Sequence, residues 1–136
     1  MKQISVILEN TKGRLAEVTG LLGKNGINLR ALSVADTADF GIVRMVMDDP
    51  GKARSVLEKG GFTVKETEVI GVEVEDRPGG LARAFELFAA QGVNIEYVYT
   101  SLENSKSKAV VIFKVENLDH TLSIIREHGI PVVTGF

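Results

Sequence analysis

An internal repeat is the feature that most constrains the fold of this chain. Residues 4–34 align without a gap on residues 70–100, with nine identities in 31 positions. The offset is 66 residues here, and it drifts to 68 further along, where Gly61 meets Gly129. A repeat of this length indicates two supersecondary units, each small enough to be marginally stable alone. We therefore predict two domains, 1–67 and 68–136, that pack together.

Each copy has the hydrophobic pattern of strand, helix, strand, strand, helix, strand. Ile4, Val6 and Leu8 alternate with polar residues, which predicts a half-buried first strand. The other strands are predicted at 28–35, 41–47 and 62–67, and in the second copy at 69–75, 94–101, 109–115 and 130–134.

Helix boundaries are marked by local signals. In the first copy, Asn25-Gly26 and Gly60-Gly61 are typical helix ends, and Asp49-Pro50 is a typical helix start. In the second copy helices are predicted at 80–91 and 118–128. The inward-facing side chains are predicted from their spacing: Leu15, Val18 and Leu22 in the first helix, Leu81, Phe85 and Phe88 in the third, and Leu122 and Ile125 in the fourth.

This element order predicts an α+β fold of two ferredoxin-like βαββαβ units. Right-handed crossovers place both helices of a unit on one face of an antiparallel sheet with strand order 4-1-3-2. Pro131 cannot donate to a ladder, so the last strand is predicted at a sheet edge. Ile7, Val46 and Ile112 are predicted on the opposite sheet face, which needs cover. We also expect second-strand edges to pair into about eight continuous strands, within one chain or across a dimer.

Composition excludes several classes of function. The chain has 16 basic and 18 acidic residues with both signs dispersed, which argues against a nucleic-acid partner. It has no cysteine, which excludes disulfides, thiolate metal sites and cysteine nucleophiles. No apolar run approaches the roughly 18 residues of a membrane span, and no signal-peptide pattern is found. We expect a cytoplasmic protein without a membrane partner, cofactor or metal site. His120 and His128 lack a third ligand.

The turn after the first strand of the second copy is the most informative segment. It reads Asp76-Arg77-Pro78-Gly79-Gly80-Leu81. A glycine-rich turn that enters a helix exposes unpaired backbone N–H groups at the positive end of the helix dipole, and these can bind an anion. The alternative is structural: the glycines make a tight turn, and Asp76 caps the helix.

An asparagine begins the second strand of each copy. Asn28 lies 18 residues after Asn10, and Asn94 lies 18 residues after Asp76. An amide both donates and accepts hydrogen bonds, so it suits a zwitterionic ligand. The alternative is that each asparagine only caps the turn between helix and strand.

The second copy resembles the ACT domain, a small amino-acid-sensing module of enzymes such as phosphoglycerate dehydrogenase and aspartokinase. The resemblance rests on the runs Glu75-Asp76-Arg77-Pro78-Gly79-Gly80-Leu81-Ala82 and Gly92-Val93-Asn94-Ile95. The first copy resembles a more divergent ACT domain. The whole is similar to stand-alone tandem ACT proteins, which implies a non-catalytic regulator that binds an amino acid.

In the ACT family the ligand lies between two units, where the turn of one faces the second strand of the next. The resemblance thus implies a set of ligand-binding residues: Asn10, Lys12, Gly13, Arg14, Leu15, Asn28, Leu29, Asp76, Arg77, Pro78, Gly79, Gly80, Leu81, Asn94 and Ile95. Lys12 replaces the proline of the motif, and Asp76 replaces the asparagine of serine sensors. Leu8 and Val74 replace a polar residue of those sensors, which favours a ligand with an apolar or larger side chain.

Two other classes of function stay open on the sequence. One is a regulatory small subunit or interaction module without ligand binding, which would act in a homodimer or on an enzyme. The other is an acylphosphatase-like hydrolase, for which Arg77 beside Gly79-Gly80 is the candidate phosphate cradle. No nucleophile or acid/base pair supports it. RNA recognition would need stacking aromatic residues on the two central strands, which the sequence lacks.

Overall fold

The computed structural model describes residues 1–36, 39–102 and 108–134, and leaves the side chain of Asp36 undescribed. The described chain divides into two compact units. The first unit contains Lys2–Thr67, and the second contains the residues from Glu68 onward together with Met1.

The first unit has the predicted βαββαβ order. Its sheet has the strand order β2-β3-β1-β4, which is the predicted 4-1-3-2 arrangement. The β1–β3 and β2–β3 pairs are antiparallel, with a register shift in β2 between Leu29 and Ala31. The elements are β1 (Lys2–Glu9), α1 (Arg14–Lys24), β2 (Leu29–Asp36), β3 (Phe40–Met47), α2 (Pro50–Lys59) and β4 (Thr63–Glu68).

The alternation in β1 produces the core of this unit. Ile4, Val6 and Leu8 are buried and pack with apolar residues of α1, α2 and β3. Asp49 caps α2 by accepting a hydrogen bond from the N–H of Lys52 at 3.1 Å, so the predicted helix start is confirmed. The predicted ends are confirmed too, because Asn25 and Gly60 are the C-cap residues of α1 and α2.

The second unit repeats this arrangement with strand order β6-β7-β5-β8. Phe88 and Phe113 are both 0% exposed, and their ring centroids lie 5.2 Å apart in its core. The elements are β5 (Ile70–Glu75), α3 (Gly80–Ala90), β6 (Ile95–Thr100), β7 (Lys108–Val115), α4 (Leu118–Glu127) and β8 (Val132–Val133).

The last strand is shorter than predicted. The sequence predicts a strand over 130–134, and the structure has only the two residues Val132–Val133. Pro131 has no N–H to donate, although its carbonyl accepts from the N–H of Glu73 at 3.0 Å. The predicted edge position is confirmed, because β8 is the terminal strand of its sheet.

Two predicted core residues are exposed. Leu15 is 40% exposed and Leu81 is 41% exposed, whereas Phe88 is fully buried. Both leucines lie in the first turn of their helices, where the apolar spacing continues beyond the area that the sheet covers. The prediction that they face inward is wrong, and Phe85 is only half-buried.

The apolar residues predicted on the opposite sheet face differ in their exposure. Val46 is 2% exposed and Ile112 is 0% exposed, whereas Ile7 is 50% exposed. The described strands form two hydrogen-bonded sheets of four, so an eight-stranded sheet within one chain is wrong. The version across a dimer stays a prediction. Among the described residues, no helix is long and apolar enough to cross a membrane.

Candidate ligand-binding turns

The first helix of each unit begins at a left-handed glycine. Gly13 has φ 89° and Gly79 has φ 85°, a backbone conformation that favours glycine. A Cβ built on either glycine meets nothing within 4 Å. The space in front of both glycines is therefore open, and a ligand can approach the backbone there.

The helix starts differ in how they are capped. Asn117 caps α4 by accepting from the N–H of His120, as Asp49 does for α2. Within the described part of the chain, α1 and α3 have no side-chain cap. The alternative in which Asp76 caps α3 is therefore wrong. The first N–H of each helix donates to a turn carbonyl, from Gly80 to Arg77 at 3.0 Å and from Arg14 to Thr11 at 3.4 Å. The N–H groups that follow in the first turn, which a helix leaves without intrahelical partners, are available to an anion.

The turn residues differ in exposure and pairing. The exposed ones are Asn10, Lys12, Gly13, Asp76, Arg77, Pro78 and Gly79. Arg77 forms an ion pair with Glu75. The Asp76 carboxylate has no ion pair or hydrogen bond with any residue that the structure describes, so it is free to bind a cationic group.

Two residues at matching positions of the turns have different environments. The Arg14 guanidinium lies 5.1 Å from the ring centroid of Phe62 and pairs with Glu17 at 2.7 Å. Its counterpart Gly80 is buried, and a Cβ there would lie 3.0 Å from the carbonyl carbon of Glu75 and closer still to the oxygen. Gly80 is thus required for the packing of α3 against the end of β5.

The two predicted halves of the site lie at opposite ends of each unit. Strands β5 and β6 are both antiparallel to β7, so they run in the same direction. The turn after Glu75 follows the end of β5, whereas exposed Asn94 precedes the start of β6 at half-buried Ile95. The same holds for Asn10 and Asn28, which lies before half-buried Leu29. One unit alone does not bring turn and asparagine together.

Asn94 lines a cleft of about 540 Å³ at its end of the second unit. The cleft also contains Asn117 and two acidic residues, Glu116 and Asp119, at the start of α4. These carboxylates are not among the predicted ligand-binding residues. The sequence feature that could have indicated them is the helix-start pattern after β7, which places polar groups beside the start of β6.

Each unit has an internal contact between its second helix and the end of its first helix. Lys52 Nζ donates to the carbonyl of Asn25 at 2.7 Å. At the matching position of the second unit, His120 Nε2 lies 3.2 Å from the carbonyl of Gln91. His120 therefore has a structural partner. No group of three or more potential metal-ligating side chains is found in the described ranges.

Segments of this chain are similar in sequence to parts of known proteins. The chain is 32% identical over 74 residues to the acetolactate synthase small subunit of Buchnera aphidicola (subsp. Baizongia pistaciae), covering 54% of this chain and 46% of that protein. It is 41% identical over 56 residues to the acetolactate synthase isozyme 3 small subunit of Escherichia coli, covering 41% of this chain and 34% of that protein. This chain thus spans less than half of either relative.

Two solved structures resemble the chain over nearly its full length. Protein BT0572 from Bacteroides thetaiotaomicron is 39% identical with a TM-score of 0.91, covering 97% of this chain and 90% of that one. The regulatory subunit of aspartate kinase from Thermus thermophilus is 20% identical with a TM-score of 0.70, covering 93% and 91%, and shares the fold. The sequence also matches the family described as an ACT domain pair over residues 1–134. With two βαββαβ units and this match, the chain belongs to the ACT domain pair family.

Proposed function

We propose that this protein is a non-catalytic regulator that binds an amino acid between ACT units. The observation that carries the proposal is the start of α3. Uncapped N–H groups lie there beside the exposed Asp76 carboxylate, which has no partner among the described residues. An amino acid is a zwitterion, so its carboxylate matches the N–H groups and its ammonium matches Asp76.

The remaining contacts come from another unit in this proposal. The turn at Asp76, Arg77, Gly79 and Gly80 faces Asn28 and the strand β2 that follows it. The turn at Asn10, Lys12, Gly13 and Arg14 faces Asn94 and the strand β6 that follows it. A site between units is favoured because turn and asparagine lie at opposite ends of one unit. Pro78, the exposed Leu15 and Leu81, and the half-buried Leu29 and Ile95 supply apolar contacts.

The regulated partner is proposed to be an enzyme or a second copy of the chain. The similarity to acetolactate synthase small subunits supports a regulatory role over the matched segments. A cytoplasmic location remains our prediction. The acylphosphatase-like alternative loses support, because its candidate Arg77 is paired with Glu75.

A thermal-shift screen across the twenty amino acids tests ligand binding. A ligand at 100 times its dissociation constant is expected to add about 2.7 kcal/mol to the free energy of unfolding. We expect stabilisation by one amino acid or a small related group, with apolar or larger side chains ahead of serine. If none of the twenty stabilises the chain, the alternative of an interaction module without a ligand replaces this proposal.

Asp76→Asn is expected to weaken binding of the amino acid found in that screen about tenfold. The variant retains a hydrogen-bond acceptor and loses the charge that binds the ammonium group, and a charge-assisted hydrogen bond contributes roughly 1.5–3 kcal/mol. Isothermal titration calorimetry measures the affinity. Glu127→Gln is the matched control, because it removes one exposed carboxylate from the same unit. Equal affinity of Asp76→Asn and the wild type would remove Asp76 from the site.

A further inference from the structure

In the first unit, the Arg14 side chain lies between the start of α1 and the chain that follows α2. The Arg14 guanidinium lies 5.1 Å from the Phe62 ring centroid and pairs with Glu17. The Nε atom of Arg14 is buried there, without a hydrogen-bond partner among the described residues. The Arg14 side chain is therefore packed against its own unit, with 32% of its surface exposed.

The second unit has smaller residues at the matching positions. Alignment of the copies places Gly80 on Arg14, Ala84 on Val18, and Ile130 on Phe62. His128 is larger than its counterpart Gly60, but its Nδ1 lies 2.9 Å from the carbonyl of Ile124 on its own helix. An open cleft of about 440 Å³ results. Its lining includes Gly80, Arg83, Ala84, Leu87, His128 and Ile130.

One position of this cleft carries the opposite charge to its counterpart in the first unit. Arg83 occupies the position of Glu17, the carboxylate that pairs with Arg14. Two carboxylates also line the cleft, but Glu73 pairs with Lys108 at 3.4 Å and Glu75 pairs with Arg77. The exposed Arg83 side chain has no ion pair or hydrogen bond within the part of the chain that the structure describes. A cationic occupant would therefore face an unpaired cation, whereas an anion would pair with it.

We propose that this cleft binds a short-chain monocarboxylate. The carboxylate pairs with Arg83, and the alkyl chain lies against the apolar surface of Val74, Leu87 and Ile130. The part of the Arg14 side chain beyond Cβ has as many non-hydrogen atoms as butyrate. The cleft adjoins the proposed amino-acid turn at Gly80. Its proposed ligand contacts, Arg83 and the apolar side chains of β5, α3 and the α4–β8 connection, lie outside that turn, so the proposal does not depend on amino-acid binding.

Butyrate titration of the full chain, labelled with ¹⁵N and followed by NMR, tests the proposal. We expect saturable shifts confined to the amides around the cleft and away from the proposed amino-acid turn: Arg83, Ala84, Leu87, Gly129 and Ile130. Arg83→Gln should weaken the affinity tenfold or more, as expected for the loss of a charge-assisted pair. Lys24→Gln, which removes an exposed cation from the first unit, should bind butyrate like the wild type.

A second variant tests the position of the alkyl chain. Ala84→Val restores the bulk that Val18 provides in the first unit, and it should weaken butyrate binding while the dispersed NMR spectrum of the folded chain is kept. Unsaturable or scattered shifts with butyrate would overturn the proposal, as would wild-type affinity in Arg83→Gln. Saturation of the same amides by n-propylguanidinium in place of butyrate would show that the cleft selects a cation, which also overturns it.

Discussion

Gly80→Ala is expected to lower the free energy of unfolding by about 2–3 kcal/mol, near the upper end of typical overpacking costs. The added Cβ would overlap the carbonyl oxygen of Glu75, and a main-chain atom cannot rotate away as a side chain can. Relief requires α3 to move from the end of β5, which disturbs the core around Phe88. Chemical denaturation measures the change.

Gly20→Ala is the matched control for this prediction. Gly20 lies inside α1, and a Cβ there meets nothing within 4 Å. Alanine should stabilise the chain by up to about 1 kcal/mol, since glycine is the poorer helix former. Unchanged stability in Gly80→Ala would show that the turn relaxes at low cost. The first unit suggests how, because its Arg14 N–H to Thr11 carbonyl distance is 3.4 Å, against 3.0 Å from Gly80 to Arg77.

Gly79→Val is expected to abolish amino-acid binding at one of the two proposed sites, and Asn28→Ala to abolish binding at the same site. A side chain on Gly79 enters the open space before the first-turn N–H groups of α3, and removal of the Asn28 amide takes away the opposite side of that site. Calorimetry should show one binding event lost and the other kept. Circular dichroism of each variant confirms that the fold is retained.

Gly13→Val and Asn94→Ala form the matched pair for this test. Gly13 has nearly the same φ as Gly79 and the same open surroundings, so valine strains both turns equally. This pair should remove the other binding event. If Asn94→Ala and Gly79→Val instead remove the same event, both halves of a site come from one copy, and the proposed site between units is wrong.

Much of the fold could be predicted because both copies of the repeat have the same pattern of strands and helices. Alternation in β1 and the caps at Asp49, Asn25 and Gly60 are local signals, and each is confirmed. The wrong predictions of buried residues arise where the apolar spacing along a helix extends beyond the part of the helix that packs on the sheet. Leu15 and Leu81 continue an apolar stripe into a helix turn that the sheet does not cover.

The candidate site was only partly predictable. The glycine turns have a recognisable spacing, and the structure shows that their helices lack side-chain caps in the described chain. The engagement of Arg14 with Phe62 depends on tertiary contact between distant residues, so no local pattern indicates it. The cleft of the second unit is equally hidden, because it arises from side chains that are smaller than their counterparts, at positions aligned by two different offsets.

The unequal turns have a consequence for how such a sensor would respond to concentration. One turn carries Asn10 and Lys12, and the other carries Asp76 and Pro78. Two sites with different charge and rigidity fill at different ligand levels, so total occupancy rises over a broader range than it would for two identical independent sites. An enzyme controlled by this chain would be adjusted in two steps as its effector accumulates. Two identical copies of the module would fill both sites over the same range of ligand concentration. Duplication followed by divergence of one turn would thus give a more gradual response.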